Sequence, residues 1–148
     1  MEYKKIHYSV ENGIAQITMD YMKNMNAIDV EMADELIDAL AIAEGDTAVR
    51  TVVLAGSEKA FSAGGDIGYF YKRIQSGGEV NMDELLAKIE YLTDYMKKMD
   101  TMIVTSVSGP AAGAGVSLAL SGDFLICADN AKFILAFVNL GLVPDTGA

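Results

Sequence analysis

Ser62-Ala63-Gly64-Gly65-Asp66 follows an apolar run at residues 49–54, and Gly109-Pro110-Ala111-Ala112-Gly113-Ala114-Gly115 follows a second apolar run at residues 103–107. Both stretches read as strand, glycine-rich turn, helix. The first helix begins near Ile67 and extends to Ile74, and the second is short and apolar, residues 116–120. Continuous apolar strands of this kind are expected to be buried on both faces, as in a parallel sheet. A strand that turns into a helix leaves the first helical N–H groups without intrahelical partners, and glycine or alanine lets the backbone approach a ligand closely. Two such turns can aim two N–H groups at a single oxygen, as an enzyme must when it stabilises the enolate of a thioester. Either turn alone is equally well explained as tight packing.

The segments around this pair complete an α/β pattern. Residues 6–10 and 14–19 alternate in polarity about Glu11-Asn12-Gly13 and predict a hairpin. A loop at residues 21–28 leads to Asp29 as helix N-cap, and Met32, Leu36, Ala39, Leu40 and Ala43 then recur at helical spacing up to Gly45. Residues 82–99 predict a second long helix with Leu85, Ile89, Leu92 and Met96 on one face. Residues 124–128 and 133–136 predict strands, and residues 140–148 a turn-rich end. Ending at Gly147-Ala148 leaves the last strand uncapped, so the chain reads as one core domain, residues 1–148, from the front of a longer protein.

Composition removes several function classes. The chain has 148 residues, 51% hydrophobic and 22% charged, with a net charge of −10. A nucleic-acid-binding surface needs a basic stripe that this balance does not supply. Cys127 lies in an apolar run and is expected to be an inert core thiol, while His7 is expected on the surface of a strand. One cysteine and one histidine make neither a zinc site nor a His-based triad, so no metal is expected. The N-terminus lacks an apolar signal region. Residues 101–122 carry no charge but contain Pro110, glycines and hydroxyls, and so read as a buried segment and not a membrane span. A cytoplasmic or organelle-matrix location is the expectation. Gly113-Ala114-Gly115 opens a helix as a dinucleotide fold would, but Leu118 replaces the third glycine, and no Gly-Lys-Ser/Thr marks a P-loop.

The motifs, taken in order, resemble the crotonase superfamily of enoyl-CoA hydratases and isomerases. Asn24-Met25-Asn26-Ala27-Ile28 is similar to the family's early loop beside the CoA nucleotide. Ala60-Phe61-Ser62-Ala63-Gly64-Gly65-Asp66-Ile67 and Val107-Ser108-Gly109-Pro110-Ala111-Ala112-Gly113-Ala114-Gly115 are similar to its two glycine-rich turns. Asp123-Phe124-Leu125-Ile126-Cys127-Ala128, Ala131-Lys132-Phe133 and Gly141-Leu142-Val143-Pro144-Asp145 match the segments that follow. The resemblance implies a spiral of β-β-α turns without the family's C-terminal helices, and homotrimers or hexamers in the full-length form. It implies an acyl-CoA substrate, with CoA entering only as part of the thioester and no separate cofactor. Carried over residue by residue, the oxyanion donors would be the N–H groups of Gly65 and Ala114. Lys23, Asn24, Met25, Ala27, Ala63, Asp66 and Ile67 would lie near the adenine and pantetheine.

The sequence departs from the family where hydratases carry two glutamates: the corresponding positions are Ser117 and Phe137. Neither can act as a general base near neutral pH. Asp145 is the acidic side chain left near the site by family position. Beside an apolar wall such as Phe137, its carboxyl would be pushed up by desolvation, which suits proton shuttling; capping of the next turn is an equally good account. Double-bond isomerisation is therefore favoured over hydration. Decarboxylation, dehalogenation and a non-catalytic or truncated member stand as alternatives.

Overall fold

Asn12 and Gly13 take positive φ, 53° and 80°, the pair of left-handed residues that a two-residue hairpin turn requires. They join β1 (Ile6–Glu11) to β2 (Ile14–Met19), antiparallel with Ile6 opposite Met19 and Glu11 opposite Ile14. This is a computed structural model, which describes residues 2–68, 71, 75–77, 83–141, 143, 144, 146 and 147. The later strands are β3 (Thr51–Ala55), β4 (Met102–Val107), β5 (Pro110–Ala112), β6 (Phe124–Cys127) and β7 (Lys132–Ile134). Among the described residues the main sheet runs β1-β2-β3-β4-β6, every pair after the hairpin being parallel.

A second, thinner ladder runs beside it. Ile28 bridges Gly65, Ser62 bridges Ala111, and Ala111 lies opposite Phe133 where β5 and β7 pair in parallel. Successive excursions of the chain thus add to both ladders, giving a mixed α/β spiral in which the two glycine-rich turns supply rungs of the second ladder.

Helix α1 (Val30–Gly45) starts where Asp29 accepts a hydrogen bond from the Met32 N–H at 2.9 Å. It buries Met32, Ala33, Leu36, Ala39, Leu40 and Ala43, the face set by the apolar spacing. Helix α2 (Asp83–Lys98) buries Leu85, Ile89, Leu92 and Met96. The short α3 (Ala114–Leu120) is buried from Ala114 through Ala119. Phe61, Ile17, Leu54, Ile103 and Leu118 share this core.

Asp29 has a second task. The buried Lys5 ammonium pairs with Asp29 and Glu31, which fastens the first strand to the start of α1. Burial pulls the Lys5 pKa down, but the bonds to the two carboxylates outweigh it and the net shift is upward. Hydrogen bonds from Lys4 and Lys5 lower the Glu31 carboxyl. Asp29→Ala is expected to cost about 1–2 kcal/mol in urea unfolding, through loss of the cap and of one Lys5 partner. Asp29→Asn, which keeps the cap, is expected to retain most of the stability.

Four expectations change. Residues 109–115 are more than a turn, since Pro110–Ala112 is a paired strand. β3 is not buried on both faces: Val52 and Leu54 are buried, while Thr51, Val53 and Ala55 are half-buried. The last predicted strand is shorter, and Ala136–Leu140 winds into a 3-10 helix. Cys127 is exposed, because β6 is the outer strand of the sheet and nothing described lies over it. Phe124 and Ile126 are also exposed. Apolar composition records what a strand suits, whereas exposure depends on what covers it. His7 is exposed on β1, 3.0 Å from the Asp20 carboxylate. No helix among the described residues is long and apolar enough to cross a membrane.

Candidate active site

The first glycine-rich turn is held on both sides by backbone. The Ile28 N–H donates to the Gly64 carbonyl at 2.7 Å, and the Asp66 N–H donates to the Ile28 carbonyl at 2.9 Å. Gly65, between them, keeps an N–H for which the described residues provide no acceptor. The Ser62 hydroxyl donates to the Asn26 carbonyl at 2.8 Å and accepts from the Gly64 N–H at 3.1 Å.

The second turn is aligned on the first. The Phe61 and Ser62 N–H groups donate to the Pro110 carbonyl, and the Ala112 N–H donates to the Ser62 carbonyl at 2.9 Å. Gly113 takes φ 49°, and its N–H donates to the Ile134 carbonyl at 2.9 Å. Ala114 is then the first residue of α3, and its N–H also has no acceptor among the described residues.

Glycine is demanded where the turns touch. At Gly64, φ is 92° and a side-chain carbon would stand 2.6 Å from the Ala112 carbonyl oxygen and 3.4 Å from the Ala114 nitrogen. At Gly115 it would stand 2.8 Å from Ser62. Space is open at the other two glycines: a carbon added to Gly65 meets only Leu85, at 3.9 Å, and one on Gly113 meets nothing within 4 Å, so Gly113 is glycine for its φ of 49° and not for room. The structure is tight where the turns join and open next to the two N–H groups that lack an acceptor among the described residues.

The nucleotide-side residues expected from the sequence lie on the rim of this arrangement. The Asn24 amide donates to the Asp66 carboxylate at 3.0 Å, while its carbonyl accepts from the Ala27 N–H at 3.2 Å. The Ala63 N–H donates to the Met25 carbonyl at 3.0 Å. Lys23, Met25, Ala63 and Ile67 are exposed, and the Lys23 ammonium stands 5.8 Å from the Tyr21 ring centre. Ala27 is buried. Phe137 is buried on the 3-10 helix Ala136–Leu140. Asp145 lies outside the described residues. A surface concavity of about 370 Å³ beside Tyr3, His7 and Tyr8 contains none of these groups.

Residues 9–148 match the family model for enoyl-CoA hydratase/isomerase. The chain belongs to that family. The enoyl-CoA hydratase/isomerase members it resembles include the trans-2-decenoyl-[acyl-carrier-protein] isomerase of Streptococcus mutans, 31% identical over 147 residues, covering 99% of this chain and 56% of the relative. The 1,2-epoxyphenylacetyl-CoA isomerase of Escherichia coli is 34% identical over 149 residues, covering 99% and 55%. The crystal structure of an enoyl-CoA hydratase/isomerase from Xanthobacter autotrophicus superimposes with a TM-score of 0.84 at 29% identity, covering 95% of this chain and 52% of that one. The chain therefore spans about half the length of the relatives it matches. The family embraces both hydratases and isomerases, so membership alone leaves the reaction open.

Two features of this hydratase/isomerase chain escape sequence reading. Asn26, fully buried with φ 55°, accepts from the Tyr21 N–H at 2.7 Å. Its amide nitrogen donates to the carbonyls of Met19 and Ala60 at 3.1 Å and Phe61 at 3.3 Å. That one side chain ties the end of β2, the Lys23–Ala27 loop and the first glycine-rich turn together. The Asn26-Ala27 pair within the family motif was the available signal. The second feature is a buried pair of hydroxyls, Ser117 and Thr146, 2.8 Å apart; nothing in the spacing marks it.

Proposed function

We propose that the protein polarises the carbonyl of an acyl thioester between the Gly65 and Ala114 N–H groups and moves a double bond through the resulting enolate. The observation that carries this reading is the pair of N–H groups without acceptors among the described residues, on turns locked together at Gly64 and Gly115 and open beside Gly65 and Gly113. Two fixed donors stabilise charge that develops on the thioester oxygen once a proton leaves the neighbouring carbon. Removing one such donor typically costs about 10²–10³ in rate.

Isomerisation needs one group that takes a proton from one carbon and returns it to another. Asp145 is assigned that role. Hydration needs a second ionisable group to activate water, and Ser117 and Phe137 stand at the two family positions that would provide one. The Ser117 hydroxyl is moreover engaged by Thr146. Lys23, Asn24, Met25, Ala27, Ala63, Asp66 and Ile67 are assigned to the carrier side of the thioester and Phe137 to the acyl side. CoA is part of the substrate in this scheme and no separate cofactor is invoked; the assembly is a homotrimer or a pair of trimers. One similar protein is named for a carrier-protein thioester, so both carriers enter the test.

The protein is assayed with 2-enoyl and 3-enoyl thioesters on CoA and on acyl-carrier protein, and products are identified by mass spectrometry. Shift of the double bond without gain of water is expected. A 3-hydroxyacyl product as the main outcome overturns the preference for isomerisation. Asp145→Asn is expected to lower kcat by about 10²–10⁴-fold, and wild-type turnover in that variant removes Asp145 from the reaction.

A further inference from the structure

The Gly64–Gly65 peptide is the least self-supporting part of the candidate site. Its N–H is the first of the two proposed donors, and a glycine on each side leaves its plane free to rotate. What aims it must come from outside the turn. A trans peptide points its carbonyl and its N–H in opposite directions. The Ile28 N–H, held 2.7 Å from the Gly64 carbonyl oxygen, therefore also fixes the direction of the Gly65 N–H. The second donor has no such need. The Val116 N–H donates to the Gly113 carbonyl at 2.9 Å, so the first turn of α3 holds the Gly113–Ala114 peptide.

The hold on Gly64 leads back to Asn26 by two routes. The first runs along the backbone. Met25 and Asn26 are both left-handed, at φ 57° and 55°, a conformation that such residues keep only where the surroundings over-determine it. That double bend presents the Met25 and Asn26 carbonyls to the first glycine-rich turn, where the Ala63 N–H and the Ser62 hydroxyl donate to them. It also brings the Ile28 N–H to Gly64. Four hydrogen bonds of the Asn26 side chain fix the bend: one from the Tyr21 N–H, and three to the carbonyls of Met19, Ala60 and Phe61. The second route runs through Ser62, which is fully buried. Its hydroxyl donates to the Asn26 carbonyl and accepts from the Gly64 N–H. Gly64 is buried too, so releasing its N–H would be costly.

We infer that Asn26 is a positioning residue for the first donor: its side chain sets the loop that holds the Gly64–Gly65 peptide, and so aims the Gly65 N–H at the thioester oxygen. The inference rests on the proposed polarisation of that carbonyl. Asn26 does not touch the substrate in this account. It acts through Ile28, Ser62 and Gly64.

The test reads the donor through the infrared stretch of the thioester carbonyl, which falls as hydrogen bonding to the oxygen strengthens. Butyryl-CoA labelled with carbon-13 at that carbonyl is bound to the protein carrying this sequence, and kcat and KM are measured separately on a 3-enoyl-CoA. Wild type is expected to lower the frequency relative to the same ester in water. Asn26→Gly tolerates the left-handed backbone and removes the side chain. It is expected to return the frequency part of the way to its value in water, since the Ala114 donor remains. It is also expected to lower kcat about tenfold or more with KM near wild type, because small misplacement of a reacting group is costly. Both readings are taken where circular dichroism shows the variant folded, so reduced stability alone moves neither. If Asn26→Gly does not fold, Ser62→Ala, which cuts only the second route, decides the matter by a change of frequency and kcat in the same direction. Wild-type frequency and kcat in the folded variant, or a rise in KM alone, overturns the inference while the polarisation stands. A wild-type protein that does not lower the frequency overturns the polarisation itself.

Discussion

Ala114→Pro is expected to lower kcat by about 10²–10³-fold with the fold retained. The substitution removes a backbone N–H, which side-chain exchange normally leaves in place. The first position of a helix is where proline is best tolerated, because its missing N–H has no intrahelical partner there. Ala114 holds that position in α3, and its N–H has no acceptor among the described residues, so no protein hydrogen bond is lost. The preceding residue, Gly113, has φ 49° and ψ −122°, outside the right-handed helical region that a following proline disfavours. The ring also fills the space the N–H opens onto. Circular dichroism and thermal melting check the fold, and steady-state kinetics on an enoyl thioester check the rate. Wild-type kcat in a well-folded Ala114→Pro protein sinks the polarisation scheme at that donor.

Asn26→Ala is expected to destabilise the protein by about 3–4 kcal/mol. The change strips the Tyr21 N–H of its acceptor and the carbonyls of Met19, Ala60 and Phe61 of their shared donor, all around a fully buried side chain. It also places alanine at φ 55°, which costs about 1–2 kcal/mol for an L-residue other than asparagine or aspartate. Asn26→Gly separates the two contributions, since glycine relieves the backbone strain and not the lost bonds. Urea unfolding of the three proteins should place glycine between wild type and alanine. A loss under about 1 kcal/mol for alanine would mean that water replaces the amide at little cost.

Those two positions differ in how far the sequence reveals them. Ala114 is legible because a strand, a glycine-rich turn and an apolar helix follow one another along the chain, and the same plan recurs at Gly65. The hairpin is legible from Asn12-Gly13, and α1 and α2 from apolar spacing, since these depend on near neighbours. Asn26 is harder to read, because a loop asparagine looks the same whether its amide meets water or three carbonyls. Two of those carbonyls belong to residues 60 and 61. β5 is missed for a related reason: Pro110-Ala111-Ala112 has no strand propensity of its own and becomes extended through pairing with β7. The Ser117–Thr146 contact joins residues 29 positions apart and has no pattern to betray it. Cys127 shows the opposite limit, where composition suggested cover that the described chain does not provide.

The order of the strands also bears on how the chain is made. β2 pairs with β1, β3 with β2, β4 with β3, β6 with β4 and β7 with β5. Each strand in that series finds its partner already synthesised when it emerges. Parallel pairing is intrinsically slow because a long loop must close first, but in the main sheet every described strand after the first meets a partner already translated, and outside it β5 has its strand partner, β7, still to come. The spiral is suited to assembly from the N-terminus onward, each addition templated by a strand already in place. Among the described residues the last strand added to the main sheet, β6, keeps an unpaired edge and an open apolar face, where Phe124 and Ile126 are exposed.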